Sequence, residues 1–101
     1  MTKIEWSAEA ASDLENIKNY IAQNSPSYAK IFIEKIMHVV ERLADHPLSG
    51  RVVPKFEDPQ FREIFHGNYR IIYAPVDDVI RIYAVVHSSR KLASDDLNPQ
   101  N

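Results

Sequence analysis

The hydrophobic pattern changes period near residue 45. Between Ala8 and Asn24 the apolar residues Ala10, Leu14, Ile17 and Ile21 recur at helical spacing, with Ala11 and Tyr20 flanking them. Asp13, Glu15, Lys18 and Asn19 are assigned to the opposite side of this first helix. Ser7 is placed to cap it, with Glu9 in its first turn. Asn24-Ser25-Pro26-Ser27 interrupts the pattern: Ser25 suits an N-cap and Pro26 the first helical position. A second helix is predicted from Pro26 to about Ala44. Its broad apolar stripe comprises Tyr28 or Ala29, Phe32, Ile33, Ile36, Val39, Val40 and Leu43. So short a link implies an antiparallel helical hairpin. His46-Pro47-Leu48-Ser49-Gly50-Arg51 ends the helical part, and residues 52–60, with Pro54 and Pro59, read as a loop or weak edge strand. The period is then two: strands are predicted at 61–65, 69–74 and 79–87, with turns at 66–68 and 75–78. Lys3–Trp6 reads as a further short strand.

Helices grouped early and strands grouped late imply an α+β fold. An antiparallel sheet, built from the N-terminal strand and the C-terminal three-stranded meander, packs on the helical hairpin. Alternation sets Tyr69, Ile71 and Tyr73 on one face and Arg70, Ile72 and Ala74 on the other. In the last strand it opposes Ile80, Ile82, Ala84 and Val86 to Arg81, Tyr83, Val85 and His87. The aliphatic face is expected to meet the helices. The mixed face, with Arg70 and His87, is expected to be the more exposed one. A chain of 101 residues is expected to be one domain, with the polar, acidic stretch 92–101 as a loosely held tail.

Composition narrows the chemistry. With 45% hydrophobic and 26% charged residues, the sequence is that of a soluble globular protein. No cysteine is present, which excludes disulfides, thiolate zinc sites and a cysteine nucleophile. No apolar run is long enough for a membrane-spanning helix and the N-terminus does not read as a signal peptide, so a cytoplasmic location is expected. A net charge of −2 argues against a general nucleic-acid binder but leaves room for a local basic patch. His38, His46 and His66 lack metal-ligand spacing, two glycines do not make a phosphate loop, and Ser7, Ser25 and Ser49 fall at caps and turns. Neither metal nor cofactor is expected.

Three segments in order carry a resemblance to a known family: the Trp6-Ser7-Ala8-Glu9-Ala10 opening followed by Asp13-Leu14; the His46–Arg51 link; and "REIFHGNYRIIY" followed by "IRIYAVVHSSRKL". Together they resemble the ParE/RelE superfamily of bacterial type II toxins over nearly the whole chain. The resemblance implies a compact antiparallel sheet on a helical hairpin and a small antitoxin partner, hence a toxin–antitoxin hetero-oligomer. It implies one of two targets: DNA gyrase for ParE-like members, or messenger RNA on the ribosome for RelE-like members. RNA cleavage by a 2′-hydroxyl needs a base, an acid and cations. Arg62 and Arg70 match basic positions of the RelE-like set. Ile64 stands where a second basic residue is often found, and Ser88 or Ser89 occupies another such position, with Arg90 beside it. No tyrosine follows Tyr83, so the acid–base role falls to His87 if it is filled. Val85-Val86-His87-Ser88-Ser89-Arg90 looks like the ParE-like exit from the last strand.

The favoured reading is therefore a ParE-like gyrase inhibitor whose partner contacts are Arg62, Arg70, Tyr83, His87 and Arg90. The alternatives are a RelE-like endonuclease, with Arg62, Arg70 and Arg90 on phosphate and His87 as acid or base, and a toxin-fold protein that only binds its antitoxin. Each residue also has a plainer role. Arg70 pairs with Glu63 or another carboxylate across the sheet, His87 bonds backbone at the strand end, Arg90 is a solvated loop charge, and Tyr69, Tyr73 and Tyr83 pack, a base-stacking platform being the other use of Tyr83. Apolar helix surface left uncovered, with the sheet edge, would receive an antitoxin segment by helix docking or strand addition.

Overall fold

The computed structural model describes residues 2–54, 56 and 58–90; the tail expected at 92–101 lies outside the described residues. Strand β1 (Lys3–Trp6) leads into helices α1 (Ala8–Ala22) and α2 (Pro26–Asp45), followed by strands β2 (Arg51–Val52), β3 (Arg62–His66), β4 (Tyr69–Val76) and β5 (Val79–His87). Both predicted caps form. Ser7 accepts a hydrogen bond from the Ala10 amide at 3.0 Å and Ser25 one from the Tyr28 amide at 3.2 Å. These satisfy amides that the first helical turn leaves unpaired. Helix α1 stops short of Asn24 because Ser25, which precedes Pro26, takes an extended backbone (φ −156°, ψ 98°).

The sheet has five strands in the order β1-β5-β4-β3-β2. The β2 to β5 pairs are antiparallel, as expected, but β1 runs parallel to β5, with Ile4 opposite Ile80 and Trp6 opposite Ile82. The sheet is therefore mixed rather than wholly antiparallel. A parallel pair needs a long connection, which the helices and the other strands supply. Strand β4 continues through Pro75 to Val76, where a turn had been expected. Here, among the described residues, β4 pairs with β5 alone, so proline's missing N–H falls at an edge, where it is tolerated. The hairpin turns at Asp77, whose φ is 54°.

β5 departs from simple alternation. Ala84 pairs with Ile72 but Ile82 pairs with Tyr73, which leaves Tyr83 as an extra residue. This bulge exchanges the faces beyond it. Ile80, Ile82 and Val85 join Ile71 and Tyr73 against Ala10, Phe32, Ile36, Val40 and Leu43 of the helices. Ala84 and Val86, expected under the helices, lie instead on the second face with Ile72, Ala74 and Tyr83. That face is not open: Val53, Phe56 and Phe61 of the 53–61 segment close over it as a second small core.

Beyond Trp6, the outer edge of β5 has no strand neighbour among the described residues, and Ser7 and α1 serve in its place. The Ser7 amide donates to the Ile82 carbonyl at 2.9 Å and the Ser7 hydroxyl to the Tyr83 carbonyl at 3.2 Å. The Val85 amide donates to Asp13 Oδ2 at 3.0 Å. Asp13 is thus half-buried toward the sheet, not on the solvent side as its spacing suggested. Burial outweighs this hydrogen bond and raises its pKa above the usual 3.8. A raised folded pKa favours the neutral acid. Its contribution to stability is fully present below 3.8 and fades as pH rises through the folded value. Asp13→Asn keeps an acceptor without the charge. It is expected to flatten the acidic part of the stability–pH curve and to leave neutral-pH stability equal or higher. Asp13→Ala strands the Val85 amide and should lose about 1–3 kcal/mol. Urea denaturation between about pH 3 and pH 8 measures both.

A cationic face around a buried carboxylate

β3 and β4 carry the residues singled out in the sequence, and their register separates them. The two-residue turn Gly67-Asn68, with Gly67 at φ 57°, sets His66 opposite Tyr69. Arg62 then lies opposite Tyr73 on the helix side, and Arg70 opposite Phe65 on the other. The two arginines, matched together by resemblance, do not form a cationic pair on one face.

Arg62 and Tyr73 hold the His46–Arg51 link. Arg62 Nη1 donates to the Gly50 carbonyl at 2.8 Å and, more weakly, to that of Leu48 at 3.4 Å. The Tyr73 hydroxyl donates to the Pro47 carbonyl at 2.8 Å and accepts from the Gly50 amide at 2.9 Å. Burial raises the pKa of this phenol, so it stays a donor. Gly50 is required by close approach: a Cβ there would stand 2.6 Å from the Glu63 carbonyl oxygen and 2.7 Å from the Tyr73 hydroxyl.

On the second face Glu63 is the centre. Its side chain has 0% exposure and is gripped by two guanidinium groups, Arg51 Nε at 2.6 Å and Arg70 Nη1 at 3.0 Å. Burying a carboxylate requires such pairing. Arg70 is 11% exposed and also donates through Nη2 to the Arg90 carbonyl. Its Nε is buried without a partner among the described residues. Arg51 is largely exposed and lies over the Phe65 ring, 5.4 Å from the centroid. The cross-sheet partner of Arg70 is thus Glu63. Arg51 was not singled out in the sequence, because its region reads as a link; its register opposite Glu63 is what brings it in.

The exit turn after β5 is tied down. The Ser88 amide donates to the Asn68 carbonyl at 2.7 Å and the Arg90 amide to the His87 carbonyl at 3.0 Å. His87 Nδ1 accepts from the Ser89 amide at 3.2 Å and lies 2.7 Å from the Ser89 hydroxyl. Accepting that bond at Nδ1 selects the tautomer with the proton on Nε2 when the ring is neutral. The His87 ring packs edge-on to Tyr69, 5.5 Å between centroids, and Tyr69 packs on Phe32 of α2. His87 consequently belongs to the helix side, not to the face of Arg70 as expected, because the bulge at Tyr83 has exchanged the alternation. Tyr83 is 8% exposed beneath the Phe61 ring, 5.0 Å away, which leaves it no open stacking surface. Arg90 is exposed beside Arg70. The assembled group on the second face is Arg51, Glu63, Phe65, Arg70 and Arg90, with Arg62 and His87 on the opposite side. Among the described residues no three His, Cys, Asp or Glu side chains converge as a metal site.

This arrangement predicts unequal effects on stability. Glu63→Ala leaves the Arg70 guanidinium buried without a counter-charge and should lose about 3–5 kcal/mol. Arg51→Ala removes a largely exposed partner and should lose no more than about 1 kcal/mol. Denaturant midpoints of the two variants test the contrast.

Comparison with known proteins places this geometry in a family. The chain is 29% identical over 91 residues to Toxin RelE2 of Caulobacter vibrioides, covering 89% of this chain and 99% of that protein. Its fold matches a chain of the chromosomal ParDE TA system from P. aeruginosa with a TM-score of 0.71 at 22% identity, over 86% of this chain and 96% of that one. The sequence model described as "ParE toxin of type II toxin-antitoxin system, parDE" matches residues 4–92. The chain therefore belongs to the ParE toxin family, as a toxin of the type II toxin–antitoxin class within the ParE/RelE superfamily.

Proposed function

We propose that the protein acts on DNA gyrase by binding rather than by chemistry, stabilising a state in which cleaved DNA is not resealed, and that a cognate antitoxin holds it inactive. The observation that supports this most is the division of the two matched arginines. Arg62 is spent on the backbone of the 46–51 link and Arg70 on Glu63 and the Arg90 carbonyl, on opposite faces of the sheet. RNA cleavage would need a base, an acid and cations around one phosphate. What remains accessible is the His87 ring on the helix side of the exit turn and, on the other face, Arg90 with the exposed Arg51 and Phe65. Arginine and aromatic side chains of this kind anchor protein interfaces.

The alternative, ribosome-dependent messenger RNA cleavage, is favoured by one feature: the Arg70 guanidinium holds the backbone carbonyl of Arg90, three residues after His87, which keeps a second arginine near it on the same face. Two assays on the same purified protein separate the readings. Gyrase-dependent accumulation of cleaved DNA is expected, without codon-dependent cleavage in a translating system. His87→Ala combined with Arg90→Ala should weaken gyrase binding by about tenfold or more while the variant stays folded at the assay temperature. Messenger RNA cleavage abolished by that double variant, with gyrase unaffected, would overturn the gyrase assignment. Inactivity of the folded protein in both assays would leave it a partner of its antitoxin only.

A further inference from the structure

The buried carboxylate and its two arginines are seated so that one buried donor is left over. Arg51 Nε holds Glu63 Oε2 at 2.6 Å and Arg70 Nη1 holds Oε1 at 3.0 Å. Arg70 Nη2 reaches past the carboxylate to the Arg90 carbonyl. Arg70 thus presents the end of its guanidinium, one Nη to each partner. Its Nε is buried with no acceptor among the described residues. A guanidinium can also meet a carboxylate side-on, with Nε and Nη2 donating in parallel to the two oxygens. That seating would satisfy Arg70 Nε, but the second oxygen it needs, Oε2, is held by Arg51.

The two arginines are unequally accessible. The Arg51 side chain is 61% exposed, on a strand of two residues, with the exposed Phe65 ring beneath it. Arg70 is 11% exposed and Glu63 wholly buried. Arg51 is therefore the member that an outside group can reach. Drawing it off leaves Glu63 Oε2 without a donor, while Arg70 Nε already lacks an acceptor. One turn of the Arg70 guanidinium pairs the two. It gives up the Arg90 carbonyl, which belongs to an exposed turn where water replaces the lost donor. Charge-assisted bonds between buried groups outweigh a bond to a solvated carbonyl. The remaining ties of the turn do not involve Arg70: the Ser88 amide stays on the Asn68 carbonyl and the Arg90 amide on that of His87.

We propose that Arg51 is a releasable latch on the exit turn. While Arg51 holds Glu63, Arg70 is kept end-on and pins the Arg90 carbonyl. When a carboxylate of a bound protein draws Arg51 away, Arg70 seats side-on on Glu63 through Nε and Nη2, and Arg90 is set free. Occupancy at β2 thereby controls the order of the turn at the end of β5. By linkage, a target that fixes Arg90 in its pinned position tightens Arg51 on Glu63. The bearing of the latch on activity rests on the reading of Arg90 as a target contact; the exchange of partners itself does not.

The test uses the whole isotope-labelled protein and follows the arginine Nε–Hε resonances, that of Arg70 being assigned by its loss in Arg70→Lys. Arg51→Ala stands for the released state. It should move the Arg70 Hε resonance downfield and slow its exchange with water by about tenfold or more. The backbone amides of Ser89 and Arg90 should gain fast motion, and that of Ser88 should not. Arg51→Lys keeps a cation on Glu63 and should retain the pattern of the unaltered protein. In an Arg70→Lys background there is no Nε to re-seat, so adding Arg51→Ala should change the mobility of Arg90 no further. An Arg70 Hε already downfield and protected in the unaltered protein would sink the proposal, because the leftover donor would then have a partner. So would an Arg51→Ala variant in which Arg70 Hε and Arg90 stay as they were, which would mean that water takes the place of Arg51. Loosening that spreads to Ser88 and the β3–β4 amides would show local unfolding in place of a switch, and would count against it equally. No gyrase or ribosome enters these measurements, so their failure is distinct from failure of the target assignment.

Discussion

β5 carries one residue more than β4 needs, and the bulge this creates at Tyr83 decides what each face of the sheet does. A single-residue offset in a strand exchanges every side chain beyond it. Before the bulge, Ile80 and Ile82 face the helices; after it, Val85 and His87 do. Tyr83 and Ala84 therefore point to the same side, and with Val86 they form a floor apolar enough to need covering. Phe61 and Phe56 stack edge-on over that floor, with ring centroids 5.7 Å apart and Phe61 5.0 Å from Tyr83. A chain of 101 residues thereby builds two cores on one sheet. This is one way for a small domain to bury more of its apolar surface.

The second face is closed at one end by aromatic rings and at the other by charge. Glu63 takes a position that an aliphatic residue would normally fill, and it is tolerated because two guanidinium groups saturate both carboxylate oxygens. This grouping links three separate parts of the chain: the short β2 through Arg51, the β3–β4 hairpin through Glu63 and Arg70, and the end of β5 through the Arg90 carbonyl. On the helix side Arg62 and Tyr73 do the corresponding task for the 46–51 link, whose carbonyls at Pro47 and Gly50 would otherwise lack partners. Arginines that read as site residues are in this way also the fasteners of the loops around the site.

Much of the fold is legible because it rests on local rules. Ser7 and Ser25 cap where their type and spacing demand, Pro26 opens α2, and the helical period of Phe32, Ile36, Val40 and Leu43 marks the buried face. What is not legible depends on offsets of one residue. The run Ile80–His87 satisfies simple alternation throughout, so nothing in its composition discloses the extra residue at Tyr83. Likewise, a three-residue turn at 66–68 would set Phe65 opposite Tyr69 and put Arg62 and Arg70 on one face. The actual turn has two residues, and the pair is split. Asp13 is hidden for another reason: its polar side chain substitutes for a strand at the edge of β5, a tertiary role that a helical period does not encode. Arg51 escapes notice because a two-residue strand has no period to read.

Net charge is equally blind to arrangement. The sum of −2 argues against a polyanion partner, yet the acidic and basic residues of α2 are sorted into adjacent rows. Glu34, Glu41 and Asp45 share one helical row and Lys35 and Arg42 the next; Lys35 and Arg42, with Glu34, line the groove between α2 and β3. At physiological ionic strength, fields fade over about 8 Å. The charges that line that groove therefore matter more to anything near it than the protein's overall sign. Arg51 and Arg90 lie on the other face of the sheet. A chain that is mildly acidic as a whole thus presents basic side chains on both faces of its sheet, and the two groups meet at Phe65, which lines the groove and lies under Arg51.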